Sequence, residues 1–160
     1  MNPMALPPAT PAVWNWFVEA PAAPSTIVSG LTSVLDRPVV PMHEADPDAL
    51  PDRAVLCDVW AGEGDFPVSV DCYAPPAEPE AAAAARLARR LGRRILLPDD
   101  TLDPGRHLLV APDGTLRPVH VDVSDTDART NLRLCTTGHA ARPCRDSRWA
   151  PDRVVPALAA

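Results

Sequence analysis

Proline restricts the regular structure that this chain can form, because 21 of its 160 residues are prolines, against an average of about 5%. Each proline fixes its own φ and removes one backbone donor. We therefore expect short helices and strands joined by irregular segments. Aromatic residues make up only 4% of the chain, so the core has to be built from valine, leucine, isoleucine and alanine.

Composition excludes several classes of protein. The 21 acidic residues outnumber the 15 basic ones, and the net charge of -6 argues against a nucleic-acid binder held by a basic surface. No apolar run reaches about 18 residues, so no membrane span is expected. The first 13 residues contain no lysine or arginine and are broken by four prolines, which is unlike a secretory signal and predicts a cytoplasmic protein.

Residues 1–24 are predicted to form a proline-rich N-terminal arm. The arm contains the most aromatic stretch of the chain, Val13 to Val18, with Trp14 and Trp16. Two interpretations are open: the stretch packs over the domain's own core, or this is an accessory subunit whose Trp14–Trp16 arm docks into a larger complex. The first interpretation is favoured, because two tryptophans exposed to water would form an apolar patch that promotes aggregation.

Residues 25–123 are predicted to form an α+β domain. Apolar side chains recur at helical spacing in 25–35 and again in 78–91. Two hairpins follow the two helices, 54–61 with 66–73 and 107–111 with 116–123. A turn at Gly64-Asp65 would place Cys57 opposite Cys72, and a turn at Glu63-Gly64 would shift the partners by one pair. Either register gives one apolar face and one outer face, the latter formed by Leu56, Asp58, Trp60, Ser69, Asp71 and Tyr73.

The two halves of this domain have the same predicted order of elements: helix, short strand, acidic loop, strand, turn, strand. We interpret residues 25–73 and 79–123 as tandem αβββ units that form a mainly antiparallel sheet with two helices on one face. A chance similarity between two generic α+β units is the alternative. Residues 124–160 are predicted to be an irregular C-terminal tail, in which 131–136 could add an edge strand.

The chain shows few signs of catalytic or metal chemistry. Cys135, His139 and Cys144 lie close in sequence, but their spacing matches no standard zinc site and a fourth ligand is missing. We therefore expect no metal and no cofactor, and keep a small enzyme or metal-binding protein built on these residues as the alternative. Cys57 and Cys72 are predicted to be buried thiols. No phosphate loop, G-x-S-x-G or H-E-x-x-H motif occurs, so no catalytic residue is assigned.

Two acidic loops recur at matching positions, the first acidic loop at 44–52 and the second acidic loop at 99–103. Carboxylates gathered on one edge of a domain suit contact with a basic surface. We therefore predict a non-enzymatic protein-binding module with a basic protein partner, and neither nucleic acid nor membrane as partner. The candidate partner-binding residues are Glu44, Asp46, Asp48, Asp99, Asp100 and Asp103.

One stretch of the chain resembles a known group of proteins. Residues 85–100, 106–114 and 119–122 run helix, glycine, strand and Pro-Asp-Gly hairpin, and this order resembles the second halves of small bacterial immunity proteins that neutralise polymorphic toxins. The resemblance covers about a third of the chain. It implies a protein that neutralises a toxin through its surface, but it transfers no functional residue, because those families bind through variable loops.

Overall fold

A computed structural model describes residues 12–99 and 103–136. The described chain forms two helices and one eight-stranded sheet, and neither helix has the length and apolar character needed to cross a membrane. The elements are β1 Val13–Val18, α1 Pro24–Leu35, β2 Val39–Pro41, β3 Val55–Ala61, β4 Val68–Tyr73, α2 Glu80–Leu91, β5 Ile95–Pro98, β6 Arg106–Val110, β7 Leu116–Val123 and β8 Arg129–Leu134.

The strands are ordered β2-β3-β4-β1-β5-β6-β7-β8. Every neighbouring pair is antiparallel except β2 and β3, which are parallel. The predicted α+β class with a mainly antiparallel sheet is therefore confirmed.

Both helices pack on the same face of the sheet. α1 buries Ile27, Leu31 and Leu35, whereas α2 buries mainly alanines together with Leu87. The helices approach each other closely at Gly30, where an added Cβ would lie 2.9 Å from Leu87 Cδ1. Small side chains on both helices therefore let the pair lie flat over the sheet, and the main core forms between them.

The aromatic stretch is the strand at the centre of the sheet rather than part of an arm. β1 pairs with β4 on one side and with β5 on the other. Trp14 and Trp16 are both buried and stack with ring centroids 5.4 Å apart. Trp16 Nε1 donates a hydrogen bond of 2.8 Å to Glu80 Oε1 on α2. The domain boundary expected at residue 24 is therefore wrong, and the two indoles offer no docking surface; residues 1–11 lie outside the described part.

The order αβββ occurs twice, but the two units differ in strand direction. β2 is parallel to β3, whereas β5 is antiparallel to β6. The reason is the connection: residues 42–54 carry the chain back to the starting end of β3, while the shorter segment 99–105 turns directly into β6. The interpretation as a duplication with one shared topology is therefore wrong. The predicted edge strand is present as β8, two residues earlier than expected.

A second core cluster lies on the opposite face, under the β5–β8 half of the sheet. The connection between β3 and β4 reaches this cluster: Phe66 is buried in it, and the Asp65 N–H donates to the Arg129 carbonyl at 2.8 Å. Strand pairing of β3 with β4 keeps the register with Cys57 opposite Cys72, but it stops at Ala61 and Val68. Burial of Phe66 thus produces a wider connection than the predicted two-residue turn.

Candidate protein-binding site

The first acidic loop is exposed and held in a defined conformation. Glu44, Asp46 and Asp48 are all exposed. The Asp46 side chain accepts a hydrogen bond of 3.0 Å from the Asp48 backbone N–H, and the Asp46 carbonyl accepts one from the Ala49 N–H, also at 3.0 Å. Such a turn is the usual local use of an aspartate in a loop. The loop therefore presents its carboxylates from a backbone that is already ordered.

Two large apolar side chains accompany these carboxylates. Met42 begins the 3₁₀ turn that leads into the loop and is 37% exposed, and Leu50 near its end is 38% exposed. Protein interfaces combine an apolar centre with a charged rim. The first acidic loop carries both components within a few residues of each other.

A groove of about 510 Å³ lies between α1 and the start of this loop. Val28, Val39 and Val59 supply apolar lining, whereas His43 and Glu44 supply polar groups. His43 Nε2 is 3.5 Å from Glu44 Oε1. Glu44 is therefore the predicted site residue that the structure places beside an apolar recess.

The second acidic loop does not present its aspartates in the same way. Asp99 Oδ2 lies 2.9 Å from Arg106 Nε, and the two side chains are only 8% and 7% exposed. Asp103 Oδ1 accepts a hydrogen bond of 2.9 Å from the Gly105 N–H. Asp100 lies outside the described residues. Asp99, which the sequence predicts to bind a partner, is buried in the structure, because β6 brings Arg106 against it.

The first acidic loop leads from the end of β2 to the start of β3, whereas the second acidic loop follows the end of β5. β4 and β1 separate β3 from β5, which corresponds to about 14 Å at the usual strand spacing. The structure therefore brings Asp46 and Asp48 into contact, whereas Asp103 follows β5, with β4 and β1 between that strand and β3.

The outer face of β3 and β4 carries further polar groups. Asp58 lies directly opposite Asp71, as the predicted register requires. Asn15 of β1 donates to the Asp71 carboxylate, a contact that sequence reasoning missed because β1 was expected outside the sheet. Trp60 on β3 is 48% exposed. Partial burial, followed by the charges of Asp71 and Asp58, raises the pKa of the Tyr73 phenol on the same face.

The cysteines give no metal or redox centre in the described part of the chain. No three histidine, cysteine or acidic side chains within residues 12–99 and 103–136 lie close enough to hold a metal ion. Cys135 is buried, and His139 and Cys144 lie outside the described residues. Cys57 and Cys72 are buried free thiols, as predicted.

No protein-family model, curated protein or solved structure matches this chain.

Proposed function

We propose that this protein is a non-enzymatic binding module that docks a basic protein partner on the first acidic loop and the groove beside it. The observation that carries the proposal is the position of Glu44, whose side chain lines a groove that also contains Val28, Val39 and Val59. An apolar recess next to an exposed carboxylate fits an apolar side chain flanked by a basic one.

The charge of the loop favours a basic partner. Glu44, Asp46, Asp48 and Asp52 are exposed, and Arg53 is the one arginine among residues 42–53, which contain no lysine. A patch of one sign steers a partner of the opposite sign and raises the association rate, an effect that salt weakens. In this proposal the carboxylates raise the rate of association with the basic partner and select it over partners of other charge.

The apolar groups account for the lifetime of the complex. Buried anchor side chains supply most of the binding energy in protein interfaces, while exposed rim charges contribute little. The groove together with Met42 and Leu50 spreads apolar contact over both sides of the loop, which suits a protein surface better than a small molecule. The resemblance to immunity proteins supports a specific form of the proposal, in which the partner is a toxin whose basic surface becomes covered.

The test uses immobilised protein and a synthetic peptide that contains arginine and valine. We expect the triple substitution Glu44→Arg, Asp46→Arg, Asp48→Arg to slow association by about tenfold or more, because it reverses the steering field. Association by the unsubstituted chain should slow as salt rises. A second variant, Met42→Ser with Leu50→Ser, should increase the dissociation rate and leave association nearly unchanged.

A matched control separates a specific site from net charge. The substitutions Glu63→Arg, Asp65→Arg and Asp125→Arg change the net charge by the same amount at exposed positions outside the loop. The proposal is contradicted when this control slows association as much as the loop variant does.

A further inference from the structure

β3 extends beyond the strand that covers its outer edge. β2 pairs only with Val55, Leu56 and Cys57, and β3 continues to Ala61. After Pro41 the chain turns into the 3₁₀ segment, which lies against β3 without pairing with it as a strand. Within the described chain, residues 58–61 of β3 therefore have a strand partner on the β4 side alone.

The unpaired backbone groups on this edge can be assigned. The Val55 N–H donates to the Pro38 carbonyl at 2.9 Å, which places it on the β2 side, and the Gly62 N–H donates to the Pro67 carbonyl at 2.6 Å on the β4 side. Backbone polar groups of a strand alternate between its two neighbours. The N–H and C=O groups of Val59 and Ala61 consequently point away from β4, toward the open edge.

β2, which forms the neighbouring part of this edge, is protected against strand addition by prolines, whereas residues 58–61 of β3 are not. Pro38 precedes β2 and Pro41 is its last residue, and proline hinders strand addition because it cannot donate a backbone hydrogen bond. No proline lies between Asp58 and Ala61. Ala61 and Trp60 are exposed, so an extended segment has access to the free backbone groups.

The side chains beside the open edge define what such a segment should contain. Val59 lines the groove on the helix side, together with Glu44, and Asp58 and Trp60 lie on the opposite face. Successive residues of an added strand would face these two environments in turn. An apolar residue fits the groove, and arginines on either side of it fit the Asp58 carboxylate and the Trp60 indole.

We propose that the partner binds by adding an extended basic–apolar–basic segment to β3 at Val59 and Ala61. The basic character of the partner rests on the proposed function above, while the strand addition is a separate claim. Main-chain hydrogen bonds would supply affinity and the alternating side chains specificity, as in other complexes formed by strand addition.

The experiment measures amide hydrogen exchange with and without a peptide of alternating arginine and valine flanked by glycines. We expect the Val59 and Ala61 amides to become protected on binding. The Asp58 and Trp60 amides, which point toward β4, should be protected in both states and serve as an internal control. The same peptide with its valine nitrogens methylated should bind about tenfold more weakly or worse, because it loses donors to the strand edge.

A substitution gives the complementary test. Ala61→Pro removes one outward N–H without touching the bonds to β4, and Ala61→Ser retains that N–H. We expect Ala61→Pro to weaken binding and Ala61→Ser to leave it nearly unchanged, with melting temperatures confirming that both variants fold.

The outcomes separate the two proposals. Binding that depends on Glu44, Asp46 and Asp48 but gives no protection at Val59 and Ala61, and no effect of methylation, overturns strand addition and leaves the proposed function intact. Absence of binding by any arginine-containing peptide overturns both. Self-association of the protein through protected Val59 and Ala61 amides in the absence of peptide would instead identify a second copy of the chain as the occupant and overturn the proposal.

Discussion

The Asp99 carboxylate and the Arg106 guanidinium form a buried ion pair where β5 leaves the sheet and β6 enters it. Asp99 Oδ2 lies 2.9 Å from Arg106 Nε, and both side chains are more than nine-tenths buried. The two charges compensate each other at short range, where little water reaches them. This pair holds the end of β5 against the start of β6.

Asp99→Asn should destabilise the protein while leaving the shape of the side chain nearly unchanged. Removing the Asp99 charge weakens the compensation of the buried Arg106 guanidinium and costs about 3 kcal/mol of unfolding free energy. Asp48→Asn, at an exposed position, should change it by less than about 0.5 kcal/mol. Urea unfolding measures both, and equal midpoints for the two variants would contradict the assignment.

Gly64→Ala should loosen the β3–β4 connection from β8. Gly64 has φ of 95°, and an added Cβ would lie 2.6 Å from the Arg129 carbonyl oxygen. The variant should lose about 1–3 kcal/mol through backbone strain and displacement. Gly62→Ala is the control, since the nearest atom to its added Cβ is 3.4 Å away. Faster amide exchange at Asp65, whose N–H donates to the Arg129 carbonyl, would show that the loss of stability arises at this connection. Equal stability of the two glycine variants would contradict the prediction.

Trp16→Phe should destabilise the core, whereas Trp60→Phe should not. Trp16 is fully buried between β1 and α2 and donates a hydrogen bond to Glu80. Phenylalanine leaves a void and removes that donor, for an expected loss of about 2 kcal/mol. Trp60 is half exposed, so its replacement should cost less than about 0.5 kcal/mol. Thermal unfolding followed by circular dichroism distinguishes the two; a larger effect at Trp60 would be incompatible with the buried β1.

Stability should fall in alkaline solution because of two buried thiols. Burial, with a smaller effect of Asp58, raises the pKa of Cys57 from 9.0 to about 11. Burial, with a smaller effect of Cys57, raises the pKa of Cys72 to about 12. The folded state holds these protons more tightly than the unfolded state, where the thiols keep their ordinary pKa of 9.0. The stability is therefore fully present below that pH and is lost as the pH rises toward 11.

The double variant Cys57→Ala, Cys72→Ala should flatten this pH dependence. All basic side chains other than histidine are arginines, so no lysine titration overlaps the same range. Urea unfolding between pH 8 and 11 measures the slope. An unchanged slope in the double variant would show that the thiols do not cause it.

Local patterns predicted the parts of the fold that depend on neighbouring residues. The β3–β4 register with Cys57 opposite Cys72 follows from alternation on both sides of one connection. The second hairpin also turns as predicted: Gly114 has φ of 86°, and its N–H donates to the Ala111 carbonyl at 2.9 Å. α2 ends at Gly92 in the left-handed conformation, as its sequence indicates.

Contacts between residues that are distant in the sequence decided the strand order, the strand directions and the burial of charged side chains. The sequence shows that Val13 to Val18 is apolar and aromatic, but insertion of β1 between β4 and β5 depends on strands whose residues lie 50 or more positions away. The sequence alone indicates that Asp99 is an exposed loop residue, whereas the fold places Arg106 beside it and buries both side chains. The open edge of β3 arises because β2 is shorter than its partner. Periodicity and turn chemistry are local properties that a sequence displays directly, whereas strand order, strand direction and charge burial depend on which segments meet in three dimensions.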